Sequence, residues 1–232
     1  MFRDAILVGE KDLRIERRSR VTTQQVLPFG VLVLVLFAFA FDADVSDPQT
    51  VVRRVAPGLF WVAVLFASLL GTQRSFAVET DDRAIDALRL SGLDPAGIFI
   101  GKAGAVAIQL LVLEVHLGFG VLVLYDTHLM RSGLVVLVLT CLLATVGLAA
   151  AGSLYGVLVS GVRGSETLMP LLYLPVCAPV LLAATRATEA ALGVTDVGGV
   201  GAAWPWVRLL LVFAVIYVAF GIIAFGSMLE ES

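Results

Sequence analysis

Six long apolar runs constrain this chain more than any other feature. They cover residues 25–41, 55–73, 98–124, 133–159, 167–185 and 206–228. Each reaches the roughly 17–25 residues that an α-helix needs to cross a hydrocarbon core about 30 Å thick. Backbone at that depth must satisfy its own hydrogen bonds, and unbroken apolar runs are the helical way of doing so. The expected fold is therefore an all-α integral membrane protein of about six transmembrane helices. Composition agrees, with 59% hydrophobic and 15% charged residues, against roughly 45–50% and 25% in soluble domains. A net charge of −3 selects no partner and gives no reason to expect nucleic acid.

Lysine and arginine placement sets the expected orientation. Eleven cluster on one side, namely Arg3, Lys11, Arg14, Arg17, Arg18, Arg20, Arg74, Arg83, Arg89, Lys102 and Arg163. Five fall on the other, namely Arg53, Arg54, Arg131, Arg186 and Arg208. Both termini are expected to be cytoplasmic. Residues 1–20 precede the first run and are too charged to span, and a cleaved signal is not expected, because a signal has a short basic start. Phe2, Ala5, Ile6, Gly9 and Leu13 form one stripe, predicting an interfacial amphipathic helix with its apolar face in the headgroup layer and its arginines on anionic lipid. Residues 21–232 then form one membrane domain, with residues 74–97 as a cytoplasmic connection.

That connection lies within "RSFAVETDDRAIDALRLSGLDPAGIFIGK", residues 74–102. Thr80 or Asp81 can cap a helix, and Asp81 and Asp82 put negative charge at its positive end. Ile85 and Leu88, with Ala84, make one apolar face, while Arg83, Asp86 and Arg89 lie on others. Ser91 and Gly92 stop the helix, and Pro95 bars its resumption. A short ridge flanked by charges of both signs suits docking on a cytoplasmic protein. "GIFIGKA", residues 97–103, only approximates a phosphate-binding loop: three residues separate its glycines, and alanine follows the lysine. A true loop has four, then Lys-Ser/Thr.

Candidate chemistry is sparse. Glu114 and His116 fall inside the third run, where ionisable groups are costly and mark candidate sites. Two residues apart on a helix, they point about 200° from one another. A proton relay or a haem ligand is one reading, a polar contact inside the bundle the other. His128 reads as a loop residue. Cys141 and Cys177 lie in apolar runs without CxxC spacing, so neither a disulfide nor a metal site follows. "AGSLYG" is not a nucleophile elbow, and no catalytic constellation emerges. Trp61, Trp204 and Trp206 read as interfacial anchors. Pro170, Pro175 and Pro179 are expected to bend the fifth span.

Several motifs together resemble a known family. "RVAPGLFWVAVLFASLL" (54–70) contains Pro57, Gly58 and Trp61, and "YLPVCAPVLLAATRA" (173–187) contains Pro175 and Pro179. With "LRIERRS" and Lys102, they resemble the CcmB family, the membrane subunits of haem exporters in cytochrome c maturation. The resemblance implies a six-helix ABC-2-type domain in a prokaryotic-type inner membrane, paired with a second permease copy. It implies a non-catalytic chain whose ATP is held by a separate ABC ATPase subunit. The coupling surface for that subunit would comprise Glu79, Asp81, Asp82, Ile85, Asp86, Leu88 and Arg89. Further partners would be cytochrome c maturation proteins C, D and E, and haem would be a handled ligand rather than a bound cofactor. Pro57, Gly58, Trp61, Glu114, His116, Pro175 and Pro179 are the translocation candidates. Arg83 and Gly92 depart from the family pattern. Two other functions remain open: an ABC-2 permease for a lipid, drug or polysaccharide, and an ion-coupled carrier using Glu114 and His116.

Overall fold

The computed structural model describes residues 1–19, 27–42, 48–81, 93–124, 131–160, 165–194 and 199–231. Among them the chain is helical, without strands. The helices are α1 (Phe2–Ser19), α2 (Leu27–Asp42), α3 (Pro48–Asp81), α4 (Pro95–Leu124), α5 (Arg131–Ser160), α6 (Ser165–Ala191) and α7 (Trp204–Glu231), with a 3-10 turn at Gly199–Ala203 before the last.

Among the described residues five helical stretches are long and apolar enough to cross a membrane: Arg54–Phe76, Pro95–Val121, Gly133–Ser160, Thr167–Ala191 and Gly199–Met228. Helix α2, the expected first span, has 16 described residues, about 24 Å at 1.5 Å each, and falls short by itself. It opens with Pro28 in its first turn, where a missing N–H breaks no helical bond. Helix α3 is the opposite case. Its 34 residues extend about 51 Å, well past a bilayer core.

Helix α5 is central, packing against α3, α4, α6 and α7, while α3 touches α2, α4, α5 and α6. Small residues permit this density. A Cβ at Gly156 of α5 would collide with the Phe76 ring of α3, and one at Gly152 would lie 2.6 Å from Thr72 Oγ1. "AGSLYG" is thus a pair of glycines four apart receiving a neighbouring helix, as small-xxx-small faces do.

The same device explains "GIFIGKA". A Cβ at Gly101 would lie 2.6 Å from the Ala5 carbonyl oxygen, and one at Gly97 would lie 2.8 Å from that of Met1. The two glycines let α1 lie directly on α4. This corrects the expected orientation of α1. Ala5 and Val8 are buried, and Gly9 lies in the crossing beside Gly101; none of them enters lipid. Phe2 and Ile6 remain exposed, at 83% and 63%. Helix α1 therefore has two apolar edges, one on the protein and one turned outward.

Helix α6 continues through its three prolines. Pro175 and Pro179 are exposed. Their missing N–H groups free the carbonyls of Leu171 and Pro175, four residues earlier. The lost bonds thus gather along one outward row.

Candidate functional site

Three elements converge at the described residues that border 82–92: α1, the final turns of α3, and the first turns of α4. Asp94 is the N-cap of α4, its carbonyl accepting from Ile98 N at 3.0 Å. The backbone N–H of Asp94 donates to Asp4 Oδ2 of α1 at 3.4 Å. The Met1 amino group, 3.0 Å from the same oxygen, holds the Asp4 carboxyl below the ordinary carboxylate range.

About two turns on, Lys102 is 1% exposed. Its Nζ donates to Ser75 Oγ at 3.2 Å, to the Ser75 carbonyl at 3.4 Å and to Asp12 Oδ2 at 3.5 Å. Ser75 Oγ donates in turn to Asp12 Oδ2 at 3.1 Å, and Lys11 Nζ lies 3.2 Å from Asp12 Oδ1. The Phe76 ring sits 4.5 Å from Lys102 Nζ. A buried charge is tolerated when paired and multiply hydrogen-bonded, and this one is. The node joins α1, α3 and α4 through side chains 63 and 90 positions apart. Asp12 was not singled out by sequence, although it shares one α1 face with Ala5 and Val8, at i, i+3 and i+7, where an acid among buried small residues is the available signal.

The docking ridge itself is only partly described. Glu79 and Asp81 belong to the last turn of α3. Asp82, Ile85, Asp86, Leu88 and Arg89, with Arg83 and Gly92, lie outside the described residues, as do the side chains of Glu79 and Asp81. Thr80 and Asp81 form the C-terminal end of α3, and the body of the helix expected after them lies outside the described residues.

Deeper in α4, Glu114 is buried against α5, where Thr145 Oγ1 donates a short hydrogen bond to its Oε1. Glu114 Oε2 is buried and has no hydrogen-bond partner among the described residues. His116 faces the opposite way and is exposed. The two do not share a site, as their spacing required.

The motif residues of α3 turn inward. Trp61 is fully buried, and its Nε1 donates to Thr188 Oγ1 of α6 at 2.9 Å. Thr188 Oγ1 donates onward to the Ala184 carbonyl at 2.7 Å. Trp61 is therefore a strut between α3 and α6, which corrects its reading as an interfacial anchor. Trp204, 45% exposed, keeps a placement compatible with that role. Pro57 is buried, Gly58 is half-buried facing Thr185, and seven residues beyond Trp61 Ser68 Oγ lies 2.6 Å from the Tyr173 hydroxyl. That hydroxyl donates to the Leu148 carbonyl at 3.0 Å, tying α3, α5 and α6 together. Pro175 and Pro179 are exposed elsewhere on α6 and do not join Trp61.

Comparison with known proteins identifies the family. Residues 3–232 match the family described as "CcmB protein". The chain is 30% identical over 196 residues to "Heme exporter protein B" of Haemophilus influenzae, covering 78% of this chain and 80% of that one. The protein of the same name from Escherichia coli is 30% identical over 202 residues, covering 78% and 79%. That from Paracoccus denitrificans is 29% identical over 188 residues, covering 77% and 79%. The chain belongs to the CcmB family, and it is a multi-pass, all-helical membrane protein of the transport-permease class.

Proposed function

We propose that this chain is the membrane permease subunit of an ATP-binding cassette complex in haem export during cytochrome c maturation. The observation that carries the reading is the family match, which spans nearly the whole chain, connection included. The Lys102 node supports the coupling half of it. The node braces the end of α3 and the start of α4, the two helices that flank the 82–92 connection, and fastens α1 to both. A force applied to that connection would enter a braced frame.

In this reading ATP is bound and hydrolysed by a separate ATPase subunit seated on the connection, and the permease is not a catalyst. Glu79, Asp81, Asp82, Ile85, Asp86, Leu88 and Arg89 meet that subunit. Haem is cargo and not a resident cofactor. Cytochrome c maturation proteins C, D and E and a second permease copy complete the assembly. The lysine and arginine distribution supports a cytoplasmic side of the inner membrane for both termini and the connection.

The test is co-purification. Tagged wild-type chain should retain an ATPase subunit and restore cytochrome c maturation to a strain lacking its own permease. Ile85→Asp or Leu88→Asp should release the ATPase while leaving membrane insertion intact, because a charge forced into an apolar contact costs several kcal/mol. Retention of the ATPase by both variants would refute the docking surface. A wild-type chain that binds no ATPase would refute the complex.

A further inference from the structure

We propose that the outward face of α4 around His116 is a binding site for an iron porphyrin, with His116 Nε2 as the axial ligand to iron. The proposal rests on the haem-export reading and assigns to it a place on this chain.

The geometry begins with the other ring nitrogen. His116 Nδ1 lies 2.6 Å from the Val112 carbonyl oxygen, one turn back on the same helix. A carbonyl oxygen can only accept, so Nδ1 carries the proton and donates it. In the neutral ring Nε2 then holds the lone pair, on the edge away from that carbonyl. Metal-bound histidines are commonly fixed in this way, by a hydrogen bond from the second nitrogen to a carbonyl or carboxylate. Helix α4 thus sets both the tautomer and the ring orientation before any ligand arrives.

The surroundings suit a flat apolar molecule with one coordination need. Val112, Val115 and Phe119 share the face and are 52%, 71% and 69% exposed. Ile108, one turn below Val112, is 48% exposed. Phe119, one turn beyond His116, offers an aromatic ring for stacking or edge contact. An acceptor left bare against hydrocarbon is costly, and this face supplies no donor to Nε2 from the described residues. Iron satisfies it. The Nε2 lone pair forms the Fe–N bond, a water or chloride leaves the iron, and neither oxidation state nor proton count changes.

The depth is also informative. His116 lies five residues before Val121, the end of the apolar stretch, about 8 Å along the axis. Lys102 lies fourteen residues the other way, about 21 Å. The site therefore sits toward the end of α4 opposite the ATPase connection, where a cargo driven from that side would emerge.

The experiment is a titration of the full-length chain in zwitterionic phospholipid nanodiscs with ferric protoporphyrin IX, with empty nanodiscs as the background. Wild type should show a saturable, one-to-one, nitrogen-ligated Soret spectrum above that background. His116→Ala should lose the signature and bind at least about tenfold more weakly, with an unchanged unfolding midpoint. His116→Cys should replace the signature with that of a thiolate ligand, a change that a purely structural role could not produce. A wild-type spectrum equal to that of empty nanodiscs overturns the site, as does a His116→Ala spectrum equal to wild type. ATPase co-purification separates the failures. If it persists while the titration is null, this site is wrong and the exporter reading stands; if it too is lost, the exporter reading fails with it.

Discussion

Helix α4 buries two ionisable side chains, Lys102 and Glu114, about 18 Å apart along its axis, and their surroundings differ. Lys102 meets a carboxylate, a hydroxyl, a carbonyl and an aromatic ring drawn from two other helices. Glu114 accepts from Thr145 on one neighbouring helix, and its Oε2 has no hydrogen-bond partner among the described residues. The first arrangement is saturated and joins three elements. The second is half-filled and joins two. The end of the bundle nearest the connection is thus cross-braced, while the middle of α4 relies on apolar contact and shape.

The largest effect should come from breaking the brace. Lys102→Met leaves Asp12 buried with its pairing reduced, a change worth about 3–5 kcal/mol, read from the unfolding transition of the purified chain in detergent. Adding Asp12→Leu should recover most of that loss, because an apolar pair can replace a buried ion pair. A single variant as stable as wild type would dissolve the contrast with Glu114. Next comes Gly101→Leu. Its side chain would strike the Ala5 carbonyl, costing about 1–3 kcal/mol by overpacking and lifting α1 off α4. Protease sensitivity of the first nineteen residues would report the detachment. Smallest is Glu114→Gln, at about 1 kcal/mol, since the amide oxygen still accepts from Thr145. A loss as large as that of Lys102→Met would show the middle of α4 to be as tightly braced as its end.

The sequence shows the large-scale order and hides the partners. Five spans were legible because lipid imposes its length on every crossing helix, and apolar runs record that length directly. Glu114 and His116 were correctly placed on opposite faces, because 3.6 residues per turn is local geometry. Trp61 was misread because an indole near the start of a span looks alike whether it faces headgroups or Thr188, 127 positions away. The α1 stripe was half misread for a related reason: nothing within residues 1–20 announces that Gly97 and Gly101 await Ala5 and Gly9. "GIFIGKA" resembled a nucleotide motif, but its glycines serve close approach.

The unbroken course of α3 has a mechanical consequence. From Asp81 back to Trp61 is about 30 Å of continuous helix with no interior proline. A displacement imposed at Asp81 would be delivered along that shaft without a joint, past the Phe76–Gly156 and Ser68–Tyr173 contacts, to the Trp61–Thr188 strut. The first proline met on that path is Pro57, one turn beyond. The stroke and its pivot would then lie at opposite ends of one lever, with α6 taking the load between them.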